Sequence, residues 1–120
     1  MKNKISLTTT GSVEGWKIEQ HLGIVSGSIV AGTNLFSDMF ASWTDILGGR
    51  SKSYQRQLDS IKNEALESIV QKASNLGANW IVGLKMDYDE IAGKNKSMLM
   101  VSVLGTAVVA SRVIDERHKD

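Results

Sequence analysis

The sequence predicts an α+β fold: a mostly antiparallel β-sheet packed against one long helix, with a shorter amphipathic helix beside them. Ser51–Leu76 repeats apolar residues at three- and four-residue spacing, the pattern of a helix with one buried face. Trp16–Ala31 and Trp80–Tyr88 alternate apolar and polar residues, which is the period of a half-buried strand. Met98–Ala110 is apolar at most positions, which is typical of a strand covered on both faces.

Length, composition and charge narrow the class of protein. A chain of 120 residues with 42% hydrophobic residues has the size and composition of one ordinary domain. We expect a single domain over residues 1–110 and a charged C-terminal tail over residues 111–120. The net charge is only +1, with acids and bases interspersed, so we expect no nucleic-acid partner. The absence of cysteine excludes disulfides, thiolate metal sites and cysteine nucleophiles.

We expect neither a signal peptide nor a membrane-spanning segment. The first four residues include two lysines, but no apolar stretch of the kind found in a signal peptide follows them. The longest apolar run, Met98–Ala110, is shorter than the roughly 20 residues that a membrane-spanning helix needs. The lack of cysteine fits a reducing compartment. We therefore expect a cytoplasmic protein with no membrane contact.

The N-terminal third is predicted to form strands. Ile5–Thr9 has the composition of a short strand, and Trp16–Ala31 that of one long strand or two joined ones. Gly23 and Gly27 indicate a bulge or a bend within the longer segment. The residues expected to share one face there are Trp16, Ile18, Gln20, Leu22 and Ile24.

Two helices are predicted next. The first is short, over Leu35–Leu47, with Thr33 or Asn34 as its N-cap and Gly48-Gly49 at its end. The second is Ser51–Leu76, ended by Gly77 as its C-cap. Its apolar stripe consists of Tyr54, Leu58, Ile61, Ala65, Leu66, Ile69, Val70, Ala73 and Leu76.

A hairpin is predicted to close the fold. Trp80–Tyr88 pairs with Met98–Ala110 across a polar turn over Asp89–Lys96 that contains Gly93. One long helix does not easily cover this sheet and an aromatic-rich short helix as well. We therefore expect copies of the chain to cover part of each other's apolar surface in a homo-oligomer.

Five short segments follow one another along the chain: Leu22-Gly23-Ile24-Val25-Ser26-Gly27, Gly48-Gly49-Arg50-Ser51 with Tyr54, Gly77-Ala78-Asn79, Asp87-Tyr88 and Gly105-Thr106-Ala107-Val108. In this order they resemble the bacterial YbjQ family, which is also known as UPF0145 and carries a heavy-metal-binding label. The resemblance covers roughly Ile5–Val109. It implies a small α+β subunit assembled into a five-membered ring, and it implies no established catalytic activity.

The metal-binding label has few residues to support it. The two histidines, His21 and His118, lie at opposite ends of the chain. The best soft-ligand candidates are Met98 and Met100, which share a strand face, and Met86 on the expected partner strand. Their thioethers suit Cu(I) or Ag(I). The favoured alternative is that these methionines fill gaps in an apolar core. The acids at the strand end, Asp87, Asp89 and Glu90, could bind a hard cation weakly, but the favoured interpretation is a solvated turn.

An anion site is a second candidate. Gly49, Arg50 and Ser51 precede or open the long helix, where free N–H groups and a guanidinium suit a phosphate or carboxylate. The favoured alternative is a tight turn in which Ser51 or Ser53 is the N-cap and Arg50 pairs with an acid across a subunit interface.

Catalysis has the weakest support. Nucleophilic catalysis requires a nucleophile beside a base, and His21 is the one histidine inside the domain. Asp38 and Asp45 could form a carboxylate pair, but nothing marks either as buried. Trp16, Trp43 and Trp80 could anchor a partner, although such residues more often belong to a core or an oligomer interface.

The prediction is therefore a non-enzymatic, self-assembling binding or scaffold module of a bacterial cytosol, without a cofactor. Its partner is another copy of itself, and the resemblance points to a pentamer. The alternative is a metal- or small-anion-binding protein that uses an intersubunit pocket.

Overall fold

The computed structural model describes residues 4–31, 51–93 and 96–114. It confirms an α+β fold of four strands and one helix within these residues. The predicted short helix, Leu35–Leu47, lies outside them. The elements, in chain order, are β1 (Ser6–Leu7), β2 (Trp16–Ala31), α1 (Ser51–Leu76), β3 (Trp80–Gly93) and β4 (Lys96–Arg112).

The sheet is mixed, with strand order β1-β3-β4-β2. β1 runs parallel to β3, with Ser6 opposite Trp80 and Leu7 opposite Ile81. Only two residues separate β3 from β4, so this pair is antiparallel, because parallel neighbours need a much longer crossover. Among the described strands, β2 therefore lies at an edge of the sheet, and it is 16 residues long.

The chain divides into two compact units, which are described separately. Unit 1 comprises Met1–Ser26, Ile69–Lys85 and Leu104–Asp120, and unit 2 comprises Gly27–Ser68 and Met86–Val103. The expectation of a single domain stays a prediction.

Unit 1 buries apolar residues on both faces of its strands. One set of residues is fully buried and comprises Ile69 and Ala73 of α1, Ile81 of β3 and Ala107 of β4. A second cluster contains Val82, Val108 and Ala110, with Trp16, Ile18 and Trp80 packed against it. β4 is thus covered on both faces around residues 107 and 108. The sequence predicted such cover along the whole strand, but the Leu104 side chain is 47% exposed.

Unit 2 has a core of its own. Ile61 and Ala65, four residues apart on α1, are buried, as are Leu99, Val101 and Val103, which alternate along β4. Buried residues at every second position mark one inward face of that strand. The intervening residues Met100 and Ser102 are half-buried.

The alternation of inward and outward residues along β2 shifts by one position at Gly23. Before it, the half-buried residues are Trp16, Ile18 and Leu22; after it, Val25 is buried and Ile24 is 75% exposed. Gly23 has a φ of 139°, which side-chain-bearing residues rarely adopt. It acts as one extra residue in the alternation, which is the behaviour of a β-bulge. The bulge was predicted, but the prediction that Ile24 shares a face with Leu22 was wrong.

The end of α1 matches its prediction. Gly77 has a φ of 91°, the Gly77 N–H donates to the Ser74 carbonyl at 3.0 Å, and the Ala78 N–H donates to the Ala73 carbonyl at 3.0 Å. This pair of bonds is a Schellman cap. Leu76, predicted as part of the buried stripe, is nevertheless 48% exposed.

Asn79 joins the helix end to β4. Its side-chain amide donates to the Ala110 carbonyl at 2.8 Å, and its Oδ1 accepts from the Ala110 N–H at 2.9 Å. Its own backbone N–H donates to the Val108 carbonyl at 3.1 Å. The side chain therefore does for Ala110 what a neighbouring strand would do, satisfying both of its backbone groups.

Candidate functional site

The predicted anion site falls largely outside the described residues. Gly49 and Arg50 lie there, and Ser51 is the first residue of α1. The site stays a prediction.

The predicted soft-metal candidates lie on β3 and β4 in unit 2. Met98 and Met100 are half-buried, two residues apart on the same face of β4. Met86 is half-buried on β3, where its sulfur lies 3.5 Å from the Tyr88 hydroxyl that donates to it. A thioether sulfur is only a weak hydrogen-bond acceptor. The contact is therefore also consistent with Met86 filling a gap in the apolar packing.

The histidines and acids considered as metal ligands are not brought together. His21 is exposed on β2, and Asp87, Asp89 and Glu90 are exposed on β3, which continues as a strand where a turn was predicted. His118 is outside the described residues. Within the part of the chain that the structure describes, no three His, Asp or Glu side chains are grouped so as to hold a metal ion.

Unit 2 contains a cleft of about 280 Å³ between α1 and the hairpin strands. Apolar walls from Leu58, Leu99 and the Tyr88 ring meet the carboxylates of Asp89 and Glu90 at this cleft. An apolar wall beside two carboxylates suits a ligand that carries an amine. The sequence singled out the two acids as members of one group, but it did not associate them with Leu58, which lies about thirty residues earlier.

A larger groove, of about 410 Å³, lies in unit 1 between the edge strand β2 and the last turns of α1. Its apolar side chains include Ile24 and Leu76, both of which are strongly exposed. Its charged lining residue is Lys72, whose ammonium donates to the Ser26 carbonyl at 2.6 Å. The ammonium has three N–H donors, so two remain available to hydrogen-bond a bound group. The groove therefore combines apolar contact with a positive charge.

Local sequence explains why the groove is open. The bulge at Gly23 turns Ile24 outward, and the Schellman cap at Gly77 ends α1 just after Leu76. Asn75 completes the polar side, where its Oδ1 accepts a hydrogen bond from the Gln71 side chain at 3.3 Å. No local pattern signals this site, because β2 and α1 contribute residues almost fifty positions apart.

The beginning of β2 holds the first residues of the C-terminal tail in place. The Val113 N–H donates to the Gly15 carbonyl at 2.8 Å, and the Ser111 hydroxyl donates to the Glu19 carboxylate at 2.6 Å. The Arg112 guanidinium carbon lies 5.4 Å from the centroid of the Trp16 ring, within the range of a cation–π interaction. Val113 and Ile114 follow, 56% and 69% exposed.

Two of the three tryptophans are packing residues of unit 1. The rings of Trp16 and Trp80 meet edge to face, with centroids 5.2 Å apart at 63°. Both lie against the cluster of Val82, Val108 and Ala110. This agrees with the interpretation of tryptophan as a core residue, and Trp43 lies outside the described residues.

Comparison with known proteins identifies the family. The family model YbjQ_1, described as "Putative heavy-metal-binding", matches residues 5–111. The chain belongs to the YbjQ family. UPF0145 protein PM1668 of Pasteurella multocida (strain Pm70) is 47% identical over 103 residues, which are 86% of this chain and 96% of that protein. The resemblance predicted from the sequence is confirmed.

A solved structure shares the fold of this YbjQ protein. The crystal structure, at 2.73 Å, of a DUF74-family protein of unknown function from Pediococcus pentosaceus ATCC 25745 matches with a TM-score of 0.62. The match covers 89% of this chain and 98% of the other at 19% identity, which shows a common fold.

The metal named in the family description can be tested against the donors present. Heavy-metal sites use thiolates, imidazoles, thioethers or clustered carboxylates. The sequence has no cysteine, and the described histidine and acids do not converge. Met98 and Met100 contribute two thioether sulfurs from one face of β4. These are fewer ligands than a closed metal site needs. The described residues of one chain do not fit a complete heavy-metal site.

In the part of the chain that the structure describes, no helix has the length and hydropathy that crossing a membrane requires.

Proposed function

We propose that this YbjQ protein is a non-enzymatic module of the bacterial cytosol that assembles with copies of itself and acts as a binding or scaffold surface. The observation that carries the proposal is the apolar surface beside β2 in unit 1, at two separate places. Ile24 and Leu76 are exposed near the middle of the strand, and Val113 and Ile114 are exposed at its start. Exposed apolar residues concentrated at defined places are typical of interfaces.

The edge position of β2 adds to this argument. A long edge strand presents backbone N–H and C=O groups that neighbouring molecules can pair with. Nearby apolar side chains would supply burial, and backbone groups would supply direction. A ring of five copies is the arrangement that we propose for the assembly, following the family resemblance.

Native mass spectrometry of the purified full chain tests the proposal. We expect one particle at five times the 13.1 kDa chain mass, with no bound metal. Size-exclusion chromatography with light scattering checks the same mass in solution. A monomer at micromolar concentration in both measurements would refute the assembly, and enzymatic turnover found in a substrate screen would refute the non-enzymatic assignment.

A soft-metal site is the second candidate, favoured by the half-buried pair Met98 and Met100 on one face of β4. Copies in an assembly could add further thioethers to such a pair at an intersubunit pocket. A Cu(I) titration against a competing chelator tests it. The affinity should fall at least tenfold in the variant Met98→Leu/Met100→Leu, whereas equal affinities would exclude the site.

A further inference from the structure

We infer that the groove between β2 and α1 receives the start of the C-terminal tail, Val113–Glu116, from a second copy of the chain. The inference rests on the proposed self-assembly and specifies its contact. The groove is lined by Ile24, Val25, Ser26, Lys72, Asn75 and Leu76.

The chemistry of the two surfaces is complementary. The groove offers exposed apolar side chains from Ile24 and Leu76, next to the ammonium of Lys72. The tail offers two exposed apolar residues, Val113 and Ile114, which Asp115 and Glu116 follow directly in the sequence. Apolar contact and an ion pair would therefore form together.

The tail begins from a fixed point. Hydrogen bonds to Gly15 and Glu19 and the stacking of Arg112 on Trp16 hold residues 111–113 against the start of β2. Anchoring of this kind lowers the conformational entropy that the tail loses on binding. Val113 and Ile114 are thus presented to a partner in a limited set of positions.

The distance that the tail can span shows that the contact would have to form between two copies of the chain. Gly15, which immediately precedes β2, and Ser26 are eleven positions apart, which corresponds to roughly 30 Å after allowing for the bulge. Val113 is the residue bonded to Gly15, and Glu116 follows it by three residues, so the backbone extends at most about 11 Å beyond this anchor. Asp115 and Glu116 therefore cannot meet Lys72 of their own chain. A contact between unlike surfaces, one at the start of β2 and the other near its middle, is head-to-tail, and such contacts close into rings or continue as filaments.

Cysteine cross-linking tests the contact directly, because the natural chain has no cysteine to interfere. We expect the double variant Leu76→Cys/Ile114→Cys to give a ladder of covalent dimers and higher multimers on a non-reducing gel after mild oxidation with copper phenanthroline. A disulfide needs Cα atoms within about 7 Å of each other, so the pair cannot close within one chain. The control is Lys85→Cys/Ile114→Cys, with the exposed Lys85 of β3 outside the groove, and it should stay monomeric on the gel.

Charge reversal provides an independent test in the same full chain. Lys72→Glu, and separately Asp115→Lys/Glu116→Lys, should each raise the concentration of half-assembly about tenfold in sedimentation velocity. Combining them should restore assembly, and Lys85→Glu should leave it unchanged. If the wild type is a monomer, the proposed function fails. If it assembles but the cysteine pair stays silent and the charge reversals have no effect, the groove binds something else, such as segment 35–47, and only the tail contact is refuted.

Discussion

Gly105 and Ile81 allow a quantitative test of the packing in unit 1. A Cβ placed on Gly105 would lie 2.5 Å from the Cγ2 methyl of Ile81, whose side chain is fully buried and so has little room to move. Overpacking of this kind costs about 1–3 kcal/mol. Replacing glycine with alanine also removes freedom from the unfolded chain, which offsets about 0.4–1 kcal/mol. We expect Gly105→Ala to lower the free energy of unfolding by about 1–2 kcal/mol.

A second substitution identifies the cause. Ile81→Leu keeps the side-chain volume but removes the branched methyl that the new Cβ would meet, at a cost of less than about 1.5 kcal/mol by itself. In that background Gly105→Ala should be nearly neutral, so the double-mutant cycle should show a coupling of about 1–2 kcal/mol. Gly11→Ala is the matched control, because nothing lies within 4 Å of its Cβ position.

The assay is urea unfolding followed by tryptophan fluorescence, at one protein concentration because assembly contributes to apparent stability. Each kcal/mol should also move the thermal midpoint by about 4 °C for a chain of this size. An equal loss of stability from Gly105→Ala in both backgrounds would refute the steric argument, since the Ile81 methyl would then not be its source.

Three further substitutions test other contacts of unit 1. Asn79→Ala leaves both backbone groups of Ala110 unpaired and should lower the free energy of unfolding by about 2 kcal/mol in urea; Asn79→Asp should not restore it, because a carboxylate cannot donate to the carbonyl. Gly23→Ala should cost about 1–3 kcal/mol by calorimetry, through backbone strain alone, since no atom lies within 4 Å of its Cβ position. Arg112→Ala should cost about 0.5–1 kcal/mol and shift the emission of Trp16, with Arg112→Lys retaining part of both; unchanged emission would contradict the stacking.

The helix was the element best predicted from the sequence. The stripe of apolar residues and the terminal Gly77 predicted α1 with the bounds that the structure has, because helix period and capping are both local signals. Strand ends were predicted less well. β3 continues through Asp89 and Glu90 to Gly93, since a polar stretch can form a solvent-exposed hairpin as readily as a turn.

The candidate site could not be predicted to the same extent. The outward direction of Ile24 depends on the positive φ of Gly23, and composition alone does not show which glycine of β2 takes such a conformation. The groove depends on the contact of Lys72 with Ser26, which are 46 positions apart and separated by the last five residues of β2, by residues 32–50 and by most of α1. Sequence periodicity reports which face of an element is apolar, but it does not report which distant elements meet.

The bulge at Gly23 also bears on solubility. Deleting this residue would leave Leu22 and Val25 on the same face as before, since Gly23 is the extra residue between them. The edge strand would then become regular along its whole length, without the interruption that prevents indefinite pairing with other edges. A chain shortened in this way would keep its core but lose the irregularity that limits edge-to-edge pairing of β2. We expect it to form fibrous aggregates at concentrations where the natural chain stays dispersed.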